Sequence, residues 1–130
     1  MMKGFKNLQA WQIAMDVARH TKHETDGFPK SEQLGMISQM RRASVSIPSN
    51  VAEGSLRTSK KEFHRFIAMA RGSCAELETL AILSVDFGYL TLDSELHAQI
   101  DRCSRVLNGL AASLRASKPT AASDQSGIQH

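Results

Sequence analysis

The chain of 130 residues has no apolar run long enough for a membrane span. Its first residues lack the hydrophobic core of a secretory signal, so a cytoplasmic protein is expected. Three prolines and no long alternation of β-branched with polar residues argue against an all-β fold. Only two cysteines occur, Cys74 and Cys103, far apart on apolar helical faces. In such a chain they are expected as reduced core residues, not as a disulfide or a metal site. Catalytic patterns are missing too. His20 and Glu24 stand one turn apart with His23 nearby, which is too few ligands for a metal centre. Ser46 and Ser73 have no His or Lys arranged by sequence as a base. No catalytic residue, metal or cofactor is therefore expected.

What is present is a helical pattern, with 42% hydrophobic and 22% charged residues, enough apolar matter for one folded domain. A first helix is expected over about 7–24, with Leu8, Trp11, Met15 and Ala18 as one stripe. Ala10, Ile13 and Val17 form a second stripe on its opposite side. Asp26-Gly27-Phe28-Pro29 reads as a loop. The second helix is expected to start with Ser31 as N-cap and Glu32 in its first turn. Its inward residues are Leu34, Ile37, Met40, Ser44, Ile47 and Val51, with Pro48 kinking it and Gly54 ending it. Ser59 and Glu62 form a capping box for the third helix. Phe63, Phe66, Ile67, Ala70, Cys74, Leu77, Ala81 and Ser84 line that helix until it ends near Gly88. The fourth helix returns antiparallel after a short turn, and Leu96, Ile100, Cys103, Leu107, Leu110 and Leu114 form a coiled-coil-like seam. The fold class is all-α, an antiparallel up-down four-helix bundle with short loops. The bundle domain is expected over residues 1–117, and residues 118–130 as a disordered tail.

Some residues exceed what a lone bundle needs. Two stripes on the first helix, and the nearly all-round apolar run Leu80 to Val85, suggest burial against another subunit. Ile13, Val17, Ile82 and Leu83 are the expected oligomer contacts. Ser38, Ala43 and Ser44 are expected opposite Ala70, Gly72, Ser73 and Cys74. Gly72 costs about 1 kcal/mol relative to Ala inside a helix, which points to close packing there. Arg42, Ser46, Asn50 and Glu53 share one side of the second helix. They read as a polar network between helices, a solvated face or a binding groove.

Charge is unevenly spread. Between residues 39 and 72 there are seven Lys or Arg and two acids, a net of +5. Between residues 73 and 101 there are six acids and no Lys or Arg. Such asymmetry fits an anionic partner, or head-to-tail contact between copies of the chain. Arg57, Lys61 and Arg65 follow one another four residues apart, with Lys60, His64 and Arg71 beside them. Arg42 joins the basic set from the second helix. Groups spaced like this can track phosphates, and no aromatic residue interleaves them for base stacking.

The run from Arg41 through Arg42, Ala43, Ser44, Val45, Ser46, Ile47, Pro48, Ser49, Asn50, Val51, Ala52 and Glu53 to Gly54 is distinctive. So is the run from Phe63 through His64, Arg65, Phe66, Ile67, Ala68, Met69, Ala70, Arg71 and Gly72 to Ser73, followed by Ala75-Glu76-Leu77-Glu78-Thr79. With Phe5, Leu8, Trp11 and the Phe28-Pro29 loop, these motifs resemble the 23S rRNA intervening-sequence proteins, a family also labelled as ribosomal. The resemblance covers about residues 3–115. It implies a four-helix bundle assembled into a ring-like homopentamer, and no active site to carry over. Related proteins are the accessory variability determinants of diversity-generating retroelements, which bind a reverse transcriptase and nucleic acid.

The expected function is a non-catalytic, self-associating bundle that binds nucleic acid, RNA before DNA, through Arg42, Arg57, Lys60, Lys61, Arg65 and Arg71. The alternative is a scaffold that docks a nucleic-acid-processing protein such as a reverse transcriptase. No membrane partner is expected. Because the composition of residues 118–130 offers little to pack, deleting them should leave the melting temperature unchanged in a thermal scan.

Overall fold

Four helices carry the chain through residues 4–116, the part that the computed structural model describes. After a 3-10 turn at Gly4–Asn7, α1 spans Gln9–Thr25, α2 Met36–Ser55, α3 Lys60–Asp86 and α4 Glu95–Ala116. No strand occurs among the described residues. Each helix packs on its neighbours in chain order, α4 closes against α1, and the diagonal pairs stay apart. This is the up-down four-helix bundle that the short loops and amphipathic stripes imply. The tail expected over residues 118–130 lies outside the described residues.

Periodicity finds stripes, but packing chooses which stripe faces inward. On α1 the buried apolar set is Ala10, Ile13, Ala14 and Val17, continued by the buried Thr21 and Thr25, while Leu8, Trp11, Met15 and Ala18 are half-buried. This corrects the expected oligomer contacts, because Ile13 and Val17 pack inside their own chain. Small and β-branched side chains let α1 sit close to both neighbours, which the Trp11 indole would prevent. Trp11 instead meets Phe5 at the edge, with ring centroids 5.3 Å apart. Ile82 and Leu83 on α3 do remain exposed. On α4, Leu96, Ile100, Cys103 and Leu107 are buried, and Ala111 takes the next core place. Leu110 and Leu114 are only half-buried. A straight helix of 3.6 residues per turn drifts from a 3.5-residue seam, so the last two leucines rotate outward.

The helix ends differ from their sequence signals. Ser31 lies in a 3-10 turn, Lys30–Glu32, and α2 starts only at Met36. The cap comes from Glu32: its Oε1 accepts a hydrogen bond from the Met36 N–H at 2.9 Å. Its Oε2 accepts another from the Tyr89 hydroxyl at 2.8 Å. The Met36 N–H first and Tyr89 second hold the Glu32 carboxyl below its ordinary range. One carboxylate thus caps α2 and ties the α1–α2 connection to the α3–α4 turn. Leu34, expected on the apolar face, precedes the helix and is 93% exposed. At α3 the Ser59 Oγ accepts from the Glu62 N–H at 3.1 Å, as the capping motif implies. The Glu62 carboxylate turns to Arg65 instead of completing the box.

Cys74 and Cys103 are free, buried thiols. The antiparallel α3–α4 hairpin brings them together, although they are far apart in sequence. Cys74 Sγ reaches the Ile100 carbonyl at 3.8 Å. Its contact with Cys74, together with burial, pushes the Cys103 thiol above its usual range.

Close approach of α2 and α3 occurs at Gly54, not at Gly72. A Cβ on Gly54 would lie 2.6 Å from Phe66 Cβ and 3.0 Å from Phe63 Cδ1. Gly54 stands one residue before the end of α2 at Ser55, close to its expected stop, and lets the backbone rest on two phenylalanines. Gly72 is exposed, and a Cβ there would meet nothing within 4 Å. Gly54→Ala should destabilise by about 1–3 kcal/mol through overpacking. Gly72→Ala should stabilise by up to about 1 kcal/mol through helix propensity. Urea unfolding of both variants checks the contrast.

Candidate nucleic-acid interface

Alternating helix directions gather the start of α1, the end of α2, the start of α3 and the end of α4 at one end of the bundle. That end carries Lys6, Arg57, Lys60, Lys61, Arg65 and Arg115, all exposed. Two acids neutralise part of it. Arg57 pairs with Glu53 at 3.1 Å, and Arg65 with Glu62 at 3.2 Å. Both guanidinium groups also stand over the ring of Phe66, at 4.8 and 5.1 Å from its centroid. Each such contact at an exposed site is worth roughly 0.5–1 kcal/mol. These two arginines are thus already engaged by their own chain.

Lys60 and Lys61 are not. They stand at the N-terminus of α3 with no ion pair among the described residues. They line a surface hollow of about 360 Å3 with His64, Leu114 and Arg115. Arg115 Nη1 donates to His64 Nε2 at 3.3 Å. The hollow has an apolar floor and a cationic rim, which suits phosphate oxygens at the rim better than bases at the floor.

The six residues expected to bind nucleic acid fall in three places. Arg57 precedes α3 in the turn, and Lys60, Lys61 and Arg65 occupy its first two turns. Arg71 is exposed further along the same helix. Arg42 lies midway along α2, away from the basic end. Arg115 escaped the sequence reading because its contribution comes from the last turn of α4, a whole helix hairpin away from Lys61 in the chain. Pairing α3 with α4 antiparallel, as the short turn implied, is the signal that could have found it.

Among the described residues, no three His, Cys, Asp or Glu side chains converge as metal ligands. His20 Nε2 stands 3.5 Å from Glu24 Oε2 on α1, and its ring meets the edge of His23 with centroids 6.2 Å apart. No helix among them is long and apolar enough to cross a membrane. A family model, 23S rRNA-intervening sequence protein, matches residues 6–109. The chain belongs to this family. No curated protein matches it. The intervening-sequence family and its fold are a small helical bundle with no known catalytic role.

In this intervening-sequence family member the polar row of α2 separates into two parts. Glu53 turns to Arg57 and leaves Arg42 without an ion pair among the described residues. Ser46 and Asn50 work together toward α3. Asn50 Nδ2 donates to the Ser46 carbonyl at 2.9 Å and to Ser46 Oγ at 3.1 Å. Ser46 Oγ in turn shares a hydrogen bond with Ser73 Oγ at 2.8 Å. This chain crosses from α2 to α3 beneath a mostly polar groove lined by Gln39, Arg42, Ala43, Ser46, Ser73 and Glu76. Ser46→Ala would remove the shared acceptor and leave Ser73 without its cross-helix partner. The loss should be about 1 kcal/mol in urea unfolding, with the helical signal intact.

Proposed function

We propose that this protein is a non-catalytic, self-associating bundle of the cytoplasm that binds nucleic acid through phosphates at its basic end. The observation that carries the reading is the convergence of Lys60, Lys61 and Arg115 from α3 and α4 around one hollow, the two lysines without an ion pair among the described residues. Lys60, Lys61 and Arg115 are the primary contacts. Arg57 and Arg65 are secondary, because Glu53 and Glu62 offset them. Arg71 and Arg42 lie outside the hollow and extend the charged surface. Phe66 is 7% exposed and covered by guanidinium groups, so base stacking contributes little. Binding is then largely independent of sequence and sensitive to salt. The family's name, which refers to an rRNA intervening sequence, favours RNA over DNA.

Self-association is supported by apolar surface along the sides of the bundle. Ile82 and Leu83 are 54% and 37% exposed on α3. Trp11, Met15, Ala18, Val45, Pro48 and Ala52 line an open groove of about 340 Å3 between α1 and α2. Five subunits is the number that the family resemblance implies. Repeating the basic end on each copy would let modest phosphate contacts combine by avidity.

Fluorescence anisotropy with labelled RNA and DNA across a salt series tests the reading. Affinity should fall steeply with salt, and Lys61→Ala or Arg115→Ala should each lower the log–log salt slope by about 1. Arg57→Ala and Arg65→Ala should have smaller effects. If the wild type binds neither nucleic acid at low salt, the reading fails and the basic end belongs to a protein partner.

A further inference from the structure

The end of the bundle opposite the hollow has the complementary character. The α3–α4 turn presents Phe87 at 54% and Leu92 at 80% exposure. Leu34, 93% exposed, stands in the adjoining connection, which the Glu32–Tyr89 hydrogen bond fastens to the turn. Asp86, Asp93 and Glu95 surround these residues, all exposed and without ion pairs among the described residues. No Lys or Arg lies between residues 73 and 101, and Lys30, exposed in the adjoining connection, offsets only part of this charge. The result is an acidic apolar knob at one end and a basic apolar hollow at the other. At the basic end Leu56 is 66% exposed and Leu114 lines the hollow beside Lys60 and Lys61.

We infer that the acidic turn of one copy docks on the basic end of a second copy. Phe87 or Leu92 enters the hollow against Leu114, while Asp86, Asp93 and Glu95 meet Lys60, Lys61 and Arg115. Burial of the apolar side chain supplies affinity, and the surrounding charges set orientation and encounter rate. The two surfaces are different patches of the same chain, so the contact is heterologous and each copy has one of each to offer. It differs from the lateral apolar contacts in its response to salt. Exposed charge pairs are screened over about 10 Å at 0.1 M salt, whereas apolar burial does not weaken with salt. The inference does not rest on the nucleic-acid reading, although both use the basic end.

Sedimentation velocity on nucleic-acid-free protein tests it. At low salt the weight-average mass should about double or rise further with concentration, since each contact joins two units; raising the salt should return it to a constant base species. Lys60→Glu with Lys61→Glu, and separately Asp86→Lys with Asp93→Lys, should each stay at the base species in low salt. Mixing the two variants in equal amounts should restore the larger species, because each variant then meets an end of opposite charge. All four positions are exposed. Should a reversal variant unfold by circular dichroism, Lys60→Gln with Lys61→Gln and Asp86→Asn with Asp93→Asn serve instead, and each should reduce the growth. A wild-type mass unchanged between low and high salt overturns the inference. So does a mixture of folded reversal variants that remains at the base species.

Discussion

The approach of α2 to α3 at Gly54 is the contact on which the layout of the basic end depends. With no Cβ at this position, the last turn of α2 rests directly on Phe63 and Phe66. The chain then needs only the four residues 56–59 to reverse direction. That short reversal places Arg57, Lys60, Lys61 and Arg65 around the end of one helix pair. Phe66 has two roles: its Cβ packs beneath Gly54, and its ring supports the two guanidinium groups. A larger residue at Gly54 would push α3 outward and disperse the cations that α4 completes with Arg115.

The bundle topology converts a charge pattern along the chain into one along the molecule. Basic residues cluster where α2 gives way to α3, and acidic residues where α3 gives way to α4. Because α3 runs the length of the bundle, these two junctions lie at opposite ends. A bundle with a long crossover in place of either short turn would have mixed the charges. Where acids and bases do meet, they serve local structure. Arg41 donates from Nε to Thr25 Oγ1 and from Nη2 to Asp26, each at 2.8 Å, and so fastens α2 to the end of α1. Lys22 first and Arg41 after it hold the Asp26 carboxyl below its ordinary range.

The family assignment and the surface chemistry bear on different questions. Membership accounts for the helical scaffold and its motifs, many of which build contacts inside the chain. Ser46, Asn50 and Ser73 form a hydrogen-bonded bridge between α2 and α3, Gly54 forms the close contact, and Arg41 anchors α1. The unpaired lysines and the acidic turn lie at the ends of the bundle. There Lys60, Lys61, Asp86, Asp93 and Glu95 make no ion pair among the described residues.

The amino-acid sequence by itself determined the number of helices, their direction and most of the core of α3 and α4. These follow from local rules: 3.6-residue periodicity, turns too short for anything but reversal, and a serine cap that needs only its own helix. Pairing of distant elements was decided only in three dimensions. Both stripes of α1 satisfy the helical period, and only neighbours on two sides selected the one with Ala10, Ile13 and Val17 for the core. Ser31 is a good cap by type, yet Glu32 displaced it because Tyr89, remote in sequence, fixes that carboxylate from the other side. Gly72 and Gly54 are alike in sequence, but only Gly54 meets another helix. Arg115 joined the basic end, and Cys103 joined Cys74, for the same physical reason: side-chain proximity between helices depends on how backbones pack, and a linear pattern holds only the part of that information that lies within one helix.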